Sequence, residues 1–250
     1  MTFRDLHYGD TPLLLPNAWD VPSALAFVEA GFPAIGTTSF GVASSIGRPD
    51  GTRSTRDANA ALARVLVTLP VYVSLDIEDG YSDDPATVAD YVAGLGVAGV
   101  NIEDSTEERL VAPEAHAEKL AAVKARCPDV FLNARVDTHW FGQEVATTVS
   151  RALAYVDAGA DGVFVPGVAD PDVVRDLAAR IPVPLNVLPG RPLAELAELG
   201  VRRVSTGSLP YRAALHAAVE VADALRSGRP VPDATPYGEL QDRMVAFTRR

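Results

Sequence analysis

Val71-Tyr-Val-Ser-Leu-Asp-Ile-Glu-Asp-Gly-Tyr81 decides the fold. Val71, Tyr72, Val73 and Leu75 form a short apolar run of strand composition that ends in Asp76, Glu78 and Asp79, and Gly80 then permits a turn. A buried parallel strand whose C-terminal end opens on acid is how α/β chains present ligand and metal sites. Asp76 and Glu78 are two residues apart, so on a continuous strand they share a face. Two hard oxygen donors on one face suit Mg²⁺ or Mn²⁺. The competing reading is a set of solvated loop acids.

The same unit recurs on both sides of this stretch. Short apolar strands are read at 13–20, 34–39, 97–103, 130–137, 162–167, 184–188 and 203–207. Helices are read at 22–30, 56–68, 113–126 and 144–158, with others starting near Pro85, Pro171, Pro192 and Ser208, and 40–53 reads as loop. Glu29-Ala-Gly31, Gly94-Leu-Gly96, Asp157-Ala-Gly159 and Glu198-Leu-Gly200 each close a helix with glycine before the next strand. Eight such units predict an α/β fold, a (β/α)8 TIM-type barrel. A doubly wound sheet is disfavoured because no Gly-rich dinucleotide fingerprint follows the first strand. The domain reading is a barrel over 1–226, a Pro-rich linker over 227–236 and an extra C-terminal oligomerisation helix over 237–250. Tyr237, Leu240, Met244 and Phe247 put an apolar stripe on that last helix, which packing on a neighbouring protomer would bury; the alternative is a tail folded back across its own barrel.

Composition narrows the function. A net charge of −11 over 250 residues argues against nucleic acid and anionic membranes as partners. It leaves room for a small anionic substrate, because a metal or an arginine reverses the sign locally. Cys127 is the single cysteine, and neither a leader nor a spanning run is read, so the expected location is cytoplasmic.

On one barrel rim, Asp76, Glu78 and Glu103 are the candidate metal ligands. Arg135 offers a planar fork for a carboxylate or phosphonate; the alternative is an internal ion pair with Asp137 or Glu103. Asn133 and Asn186 are candidate substrate contacts, or they only satisfy backbone groups inside the barrel.

Asn17-Ala-Trp-Asp20, Gly31-Phe-Pro-Ala-Ile-Gly-Thr-Thr-Ser39, Gly47-Arg-Pro-Asp-Gly51, Asp76-Ile-Glu-Asp-Gly-Tyr81, Gly99-Val-Asn-Ile-Glu-Asp104, Asn133-Ala-Arg-Val-Asp137 and Ala158-Gly-Ala-Asp-Gly-Val-Phe-Val-Pro166 keep a recognisable order. Over about 13–215 the chain resembles the isocitrate lyase/phosphoenolpyruvate mutase superfamily. The resemblance implies a (β/α)8 barrel that binds Mg²⁺ and a 2-oxo acid or its enolate. It implies that Asp76, Glu78 and Glu103 serve the metal. Thr38, Ser39 and Phe40 match the segment whose backbone holds the pyruvyl oxygens, Asp50 an active-site aspartate, and Arg135 the substrate-carboxylate arginine. It also implies exchanged C-terminal helices in a homodimer or homotetramer.

The departures lie in the lid. No Lys-Lys-Cys-Gly-His motif is present, and the segment after the fourth strand is only Asp104-Ser-Thr-Glu-Glu-Arg-Leu-Val-Ala112, short and acidic, with Thr106 its lone threonine. The leading expectation is a Mg²⁺-dependent lyase or decarboxylase acting on a small 2-oxo or 2-hydroxy (di)carboxylic acid through an enolate. The alternatives are a phosphonopyruvate-type C–P mutase or hydrolase and a non-catalytic 2-oxo-acid binding protein.

Overall fold

One stretch of chain is used twice to close the sheet. In the computed structural model, which describes residues 1–249, the strands are β1 (Leu13–Leu15), β2 (Asn17–Ala18), β3 (Ala34–Thr37), β4 (Tyr72–Asp76), β5 (Gly99–Glu103) and β6 (Ser105–Thr106). They continue with β7 (Arg109–Leu110), β8 (Phe131–Arg135), β9 (Gly162–Phe164), β10 (Leu185–Val187) and β11 (Arg203–Ser205). Nine of them form a sheet in the order β1-β11-β10-β9-β8-β5-β4-β3-β2, and its neighbours pair in parallel. The two edges, β1 and β2, are separated only by Pro16, which has no N–H to give to a ladder. Across that seam Gly36 N donates to Pro16 O at 2.8 Å, and Thr206 N donates to Leu15 O at 3.1 Å. The nine strands are therefore eight staves of a near-closed barrel, and the eight expected strands are its staves.

Outside the staves run α1 (Val21–Glu29), α2 (Ser39–Ser45), α3 (Arg56–Leu66), α4 (Pro85–Ala93), α5 (Pro113–Arg126), α6 (Thr138–Phe141) and α7 (Thr148–Asp157). After them come α8 (Pro171–Arg180), α9 (Leu193–Glu198), α10 (Leu209–Ser227) and α11 (Tyr237–Thr248). Local sequence explains several starts. Asp20 and Ser23 form a reciprocal capping box on α1, while Asp84 and Asp170 cap α4 and α8 just ahead of Pro85 and Pro171.

Period-two alternation sorts the strands into two environments. Val73, Leu75, Val100, Ile102, Leu132, Val163, Val187 and Val204 belong to the buried apolar layer between sheet and helices. Between them Ser74, Asn101, Asn133, Asn186, Arg203 and Ser205 form a hydrogen-bonded polar interior. The N-terminal segment closes the far end: Phe3 packs with Leu13, Leu15 and Phe131, and the His7 ring stacks on Phe131 at 4.0 Å. Polar groups facing the open end and aromatic groups sealing the other leave one rim for chemistry.

Two local expectations need correcting. Residues 40–53 are not all loop, because Ser39–Ser45 is helical with Thr38 as its cap. Its Ser-Phe-Gly-Val-Ala-Ser-Ser sequence sets one strong helix former, Ala43, against glycine, valine and three serines, and packing decides: a Cβ on Gly41 would sit 2.8 Å from Trp19. The 144–158 helix begins only at Thr148, after a 3-10 turn at Val145–Thr147. The lid segment contains an antiparallel β6–β7 hairpin. The C-terminal helix rests on its own barrel, with Met244 and Phe247 packed against the core and Arg243 paired to Glu29 at 2.6 Å. Among the described residues no helix is long and apolar enough to cross a membrane.

Candidate active site

β4 delivers Asp76 to the rim and ends there; the chain then turns sharply through Glu78, Gly80 and Tyr81, all with positive φ (49°, 89° and 63°). Gly80 is required at this turn, since a Cβ would stand 2.6 Å from Val88. Glu78 therefore does not share a strand face with Asp76. Its carboxylate accepts from Arg53 N at 2.7 Å and from the Thr55 hydroxyl, so the second loop grips it. Burial raises its pKa, and Asp50 and Asp76 push in the same direction against those hydrogen bonds.

Asp76 accepts Ser39 N on Oδ2 at 3.1 Å, while its Oδ1 is buried without a protein partner. Thr38 N is also engaged, donating to Ala18 O at 3.1 Å. Of the three residues expected to offer amides, Thr38 and Ser39 spend theirs inside the protein. Phe40 borders the cavity beside them.

Glu103 and Arg135 lie side by side because β5 and β8 pair in register at these two residues. Arg135 donates to Glu103 Oε1 at 2.5 Å and to Asp137 Oδ1 at 2.6 Å, and its guanidinium lies over the rings of Trp140 and Phe164 at 5.9 and 5.7 Å. Burial opposes its charge, but Asp137, Glu103 and Asp76 outweigh that and raise its pKa. Burial raises the Glu103 pKa well above the carboxylate range; Arg135 opposes the shift, and Asp137, Asp76 and Asp50 add to it. The internal ion pair considered for Arg135 thus forms on both sides at once. It leaves the arginine fixed in place, still bordering open space.

Two adjoining cavities occupy the rim. The first, about 300 Å³, is bordered by Asp50, Asp76, Asn101, Arg135, Thr206 and Arg212, among others. The second, about 400 Å³, is bordered by Asp50, Glu78, Glu103, Thr106, Glu107 and Glu108, among others, and by Arg135. Phe40, Asp50, Arg135 and Trp140 belong to both. The structure brings the three expected metal acids to one rim but divides them, with Asp76 on the first cavity and Glu78 and Glu103 on the second. Among the described residues no group of three or more His, Cys, Asp or Glu side chains is placed to hold a cation together. Asp50 keeps surface open to both cavities, yet loss of surrounding water and then the Asp76 charge raise its pKa.

Asn133 and Asn186 border neither cavity. Asn133 donates to Asn101 Oδ1 at 2.9 Å and Asn186 to Ser205 Oγ at 2.9 Å, so both serve the barrel interior. Arg212, Trp140 and Phe164 are the neighbours that strand-end reasoning missed. Trp140 and Arg212 come from helices outside the quoted motifs, while Phe164 sits inside one but is apolar, and barrel closure collects all three.

Residues 3–226 match the family described as phosphoenolpyruvate phosphomutase. The chain belongs to the isocitrate lyase/phosphoenolpyruvate mutase superfamily. An uncharacterized protein of Mycobacterium tuberculosis is 58% identical over 254 residues, covering 100% of this chain and 98% of that one. The 2-methylisocitrate lyase of Bacillus subtilis is 32% identical over 211 residues, covering 79% of this chain and 67% of the lyase. Among solved structures, a phosphonopyruvate hydrolase bound to oxalate and Mg²⁺ superposes with a TM-score of 0.83 at 26% identity, covering 100% of this chain and 99% of that one. Membership makes the chain an enzyme of the lyase, mutase or hydrolase type that acts on small organic acids.

Proposed function

We propose that this enzyme breaks the bond between C3 of a 2-oxo acid and an anionic group on that carbon, and that the group is a phosphonate. One observation carries the reading: Asp76 keeps a buried, unpartnered oxygen beside a cavity that Arg135 and Arg212 also border. The C–C lyase expected first from the sequence becomes the second reading. The 2-methylisocitrate lyase supports it, while the family model described as phosphoenolpyruvate phosphomutase and the likeness to phosphonopyruvate hydrolase support the first.

The donor set fits Mg²⁺ or Mn²⁺. The oxygens are hard, Asp76 Oδ1 is unspent, and Asp50, Glu78 and Glu103 face the same rim with pKa values raised by burial and mutual repulsion. Asp76 would hold the ion directly, with Asp50, Glu78 and Glu103 reaching it through water. When bound, the ion would supply Lewis-acid stabilisation of negative charge on the 2-oxo oxygen.

The chain's own residues do the rest. Arg135, held flat by Glu103 and Asp137, receives the C1 carboxylate in a defined orientation. Arg212 makes no ion pair among the described residues and takes the phosphonate. Asp50 as carboxylate removes a proton from the attacking water. The water oxygen bonds to phosphorus, the C–P pair flows into the enolate of pyruvate, and Asp50 returns its proton to C3. Phosphate and pyruvate leave in equal amounts. Its assembled state is a homo-oligomer in this reading, since Leu215, Val219 and Leu225 leave an apolar face exposed on α10.

The test is turnover of phosphonopyruvate against oxaloacetate with Mg²⁺. Equal pyruvate and phosphate from phosphonopyruvate support hydrolysis, and phosphoenolpyruvate would mark a mutase instead. Pyruvate from oxaloacetate alone, above the metal-catalysed background, would hand the case to the C–C reading. Ligand-induced stabilisation with no product from either acid would make it a binding protein. Asp50→Asn should lower kcat at least about a hundredfold. Asp76→Ala should abolish metal-dependent ligand binding in a folded protein.

A further inference from the structure

Arg203 is a buried arginine inside the barrel with no carboxylate hydrogen-bonded to it, and its Nη1 has no partner. Its Nε donates to Ser205 Oγ at 3.1 Å and its Nη2 to Asn101 Oδ1 at 3.2 Å. Asn133 Nδ2 donates to the same Asn101 oxygen at 2.9 Å. A guanidinium only donates, so the Asn101 amide has one allowed orientation: its oxygen faces Arg203 and Asn133. The NH2 group must point the other way. Asn101 borders the first cavity, its Nδ2 donates to no protein atom among the described residues, and β4–β5 register sets it opposite Asp76.

We infer that Asn101 is a substrate-binding donor, its NH2 locked toward the cavity by Arg203 and Asn133, and that it binds an oxygen of the planar 2-oxo acid or its enolate rather than a metal ion. The amide oxygen, which would be the metal ligand, is already used twice. A buried donor fixed beforehand loses little entropy when it meets an anionic oxygen, and it strengthens its bond as charge grows there. Arg203 acts as a positioning residue: it touches no substrate and fixes which end of Asn101 does. A neutral hydrogen-bonding residue at this place therefore selects an acceptor oxygen from the substrate, which a saturated carbon at the same position would not offer.

This rests on the cavity being a 2-oxo-acid site. The probe is oxalate, a planar dianion with the shape of a 2-oxo-acid enolate, titrated by calorimetry in the presence of Mn²⁺. Mn²⁺ affinity is measured separately by its electron-paramagnetic signal. Asn101→Ala should weaken oxalate roughly ten- to hundredfold and leave Mn²⁺ affinity unchanged. Asn101→Asp keeps the volume and still offers an oxygen to Arg203 and Asn133, so it should fold. It turns an acceptor to the cavity, and should lose oxalate affinity at least as severely while binding Mn²⁺ no more weakly than wild type. Wild-type oxalate affinity in Asn101→Asp, or loss of Mn²⁺ affinity in Asn101→Ala, would overturn the assignment. If wild type itself binds Mn²⁺ but no oxalate, the 2-oxo-acid reading of the cavity falls and this inference falls with it.

Discussion

His116 shows what a buried group costs when nothing meets it. It sits on α5 with neither ring nitrogen hydrogen-bonded and its ring edge-on to Tyr155 at 4.6 Å. Burial, helped by the Lys119 charge, lowers its pKa to about 3, and burial and Arg203 lower that of His7 to about 3. Both pKa values are depressed below the unfolded value near 6.5, so between pH 6.5 and 3 the unfolded chain binds protons that the folded one refuses. Stability from each histidine is thus complete above pH 6.5 and is lost as pH falls, by about 2 kcal/mol each at pH 5. Asp104 has the opposite sign: burial raises its pKa to about 6, so its contribution declines as pH rises from about 4 through 6. Comparing a variant with wild type isolates one group. His116→Leu should flatten the acid limb by about 2 kcal/mol between pH 7.5 and 5, read as urea midpoints. An unchanged pH dependence would mean that His116 is protonated, or solvated, in the native protein.

At the scale of elements, what the sequence discloses depends on how locally each piece is determined. The eight staves are legible because strand alternation, helix-closing glycines and Asp-Pro helix starts are all encoded within a few residues. The rim positions of Asp76, Glu103 and Arg135 are legible for the same reason, since each finishes a stave. Glu78 is not, because a left-handed turn overrides the two-residue alternation that pairs it with Asp76. The helix α2 and the hairpin β6–β7 are short enough that contacts distant in sequence decide them. That hairpin carries its own strain. Glu107 and Glu108 form its two-residue connection with φ of 49° and 61°, the pattern of a type I′ turn that favours Asn-Gly. Each left-handed Glu costs roughly 1–2 kcal/mol. The hairpin is tied down by Thr106 Oγ1 donating to Asp79 Oδ2 at 2.5 Å and Gln143 Nε2 donating to Glu108 O at 3.1 Å. It borders the second cavity and not the first. Replacing Glu107-Glu108 with Asn-Gly should therefore slow amide exchange across 105–110 severalfold without reorganising the first cavity. Faster exchange in that variant would show that the two glutamates are held by something other than turn geometry.

For the whole molecule, the open question is what covers α10. This 19-residue helix is exposed along most of its length, with Leu215 52%, Val219 68% and Leu225 67% accessible. A monomer has no reason to display these side chains together, and a second copy of the chain is the simplest cover. The tail offers a second route to assembly. Gly228 caps α10 in a left-handed conformation, residues 229–236 carry no regular structure, and α11 then returns to pair Arg243 with Glu29. Exchange between protomers would preserve these contacts while moving them to the partner barrel, which is why domain swapping demands so little new chemistry. The expected solution state is a dimer or tetramer, and Val219→Asp on the exposed face of α10 should reduce its mass by whole protomers. Glu29→Cys with Arg243→Cys, in a Cys127→Ser background, separates the two routes when linked by a short bifunctional maleimide. A band of doubled mass under denaturing conditions means exchange; a band of single mass means that each tail serves its own barrel. Sedimentation of the full chain as a monomer at micromolar concentration would refute assembly through either route.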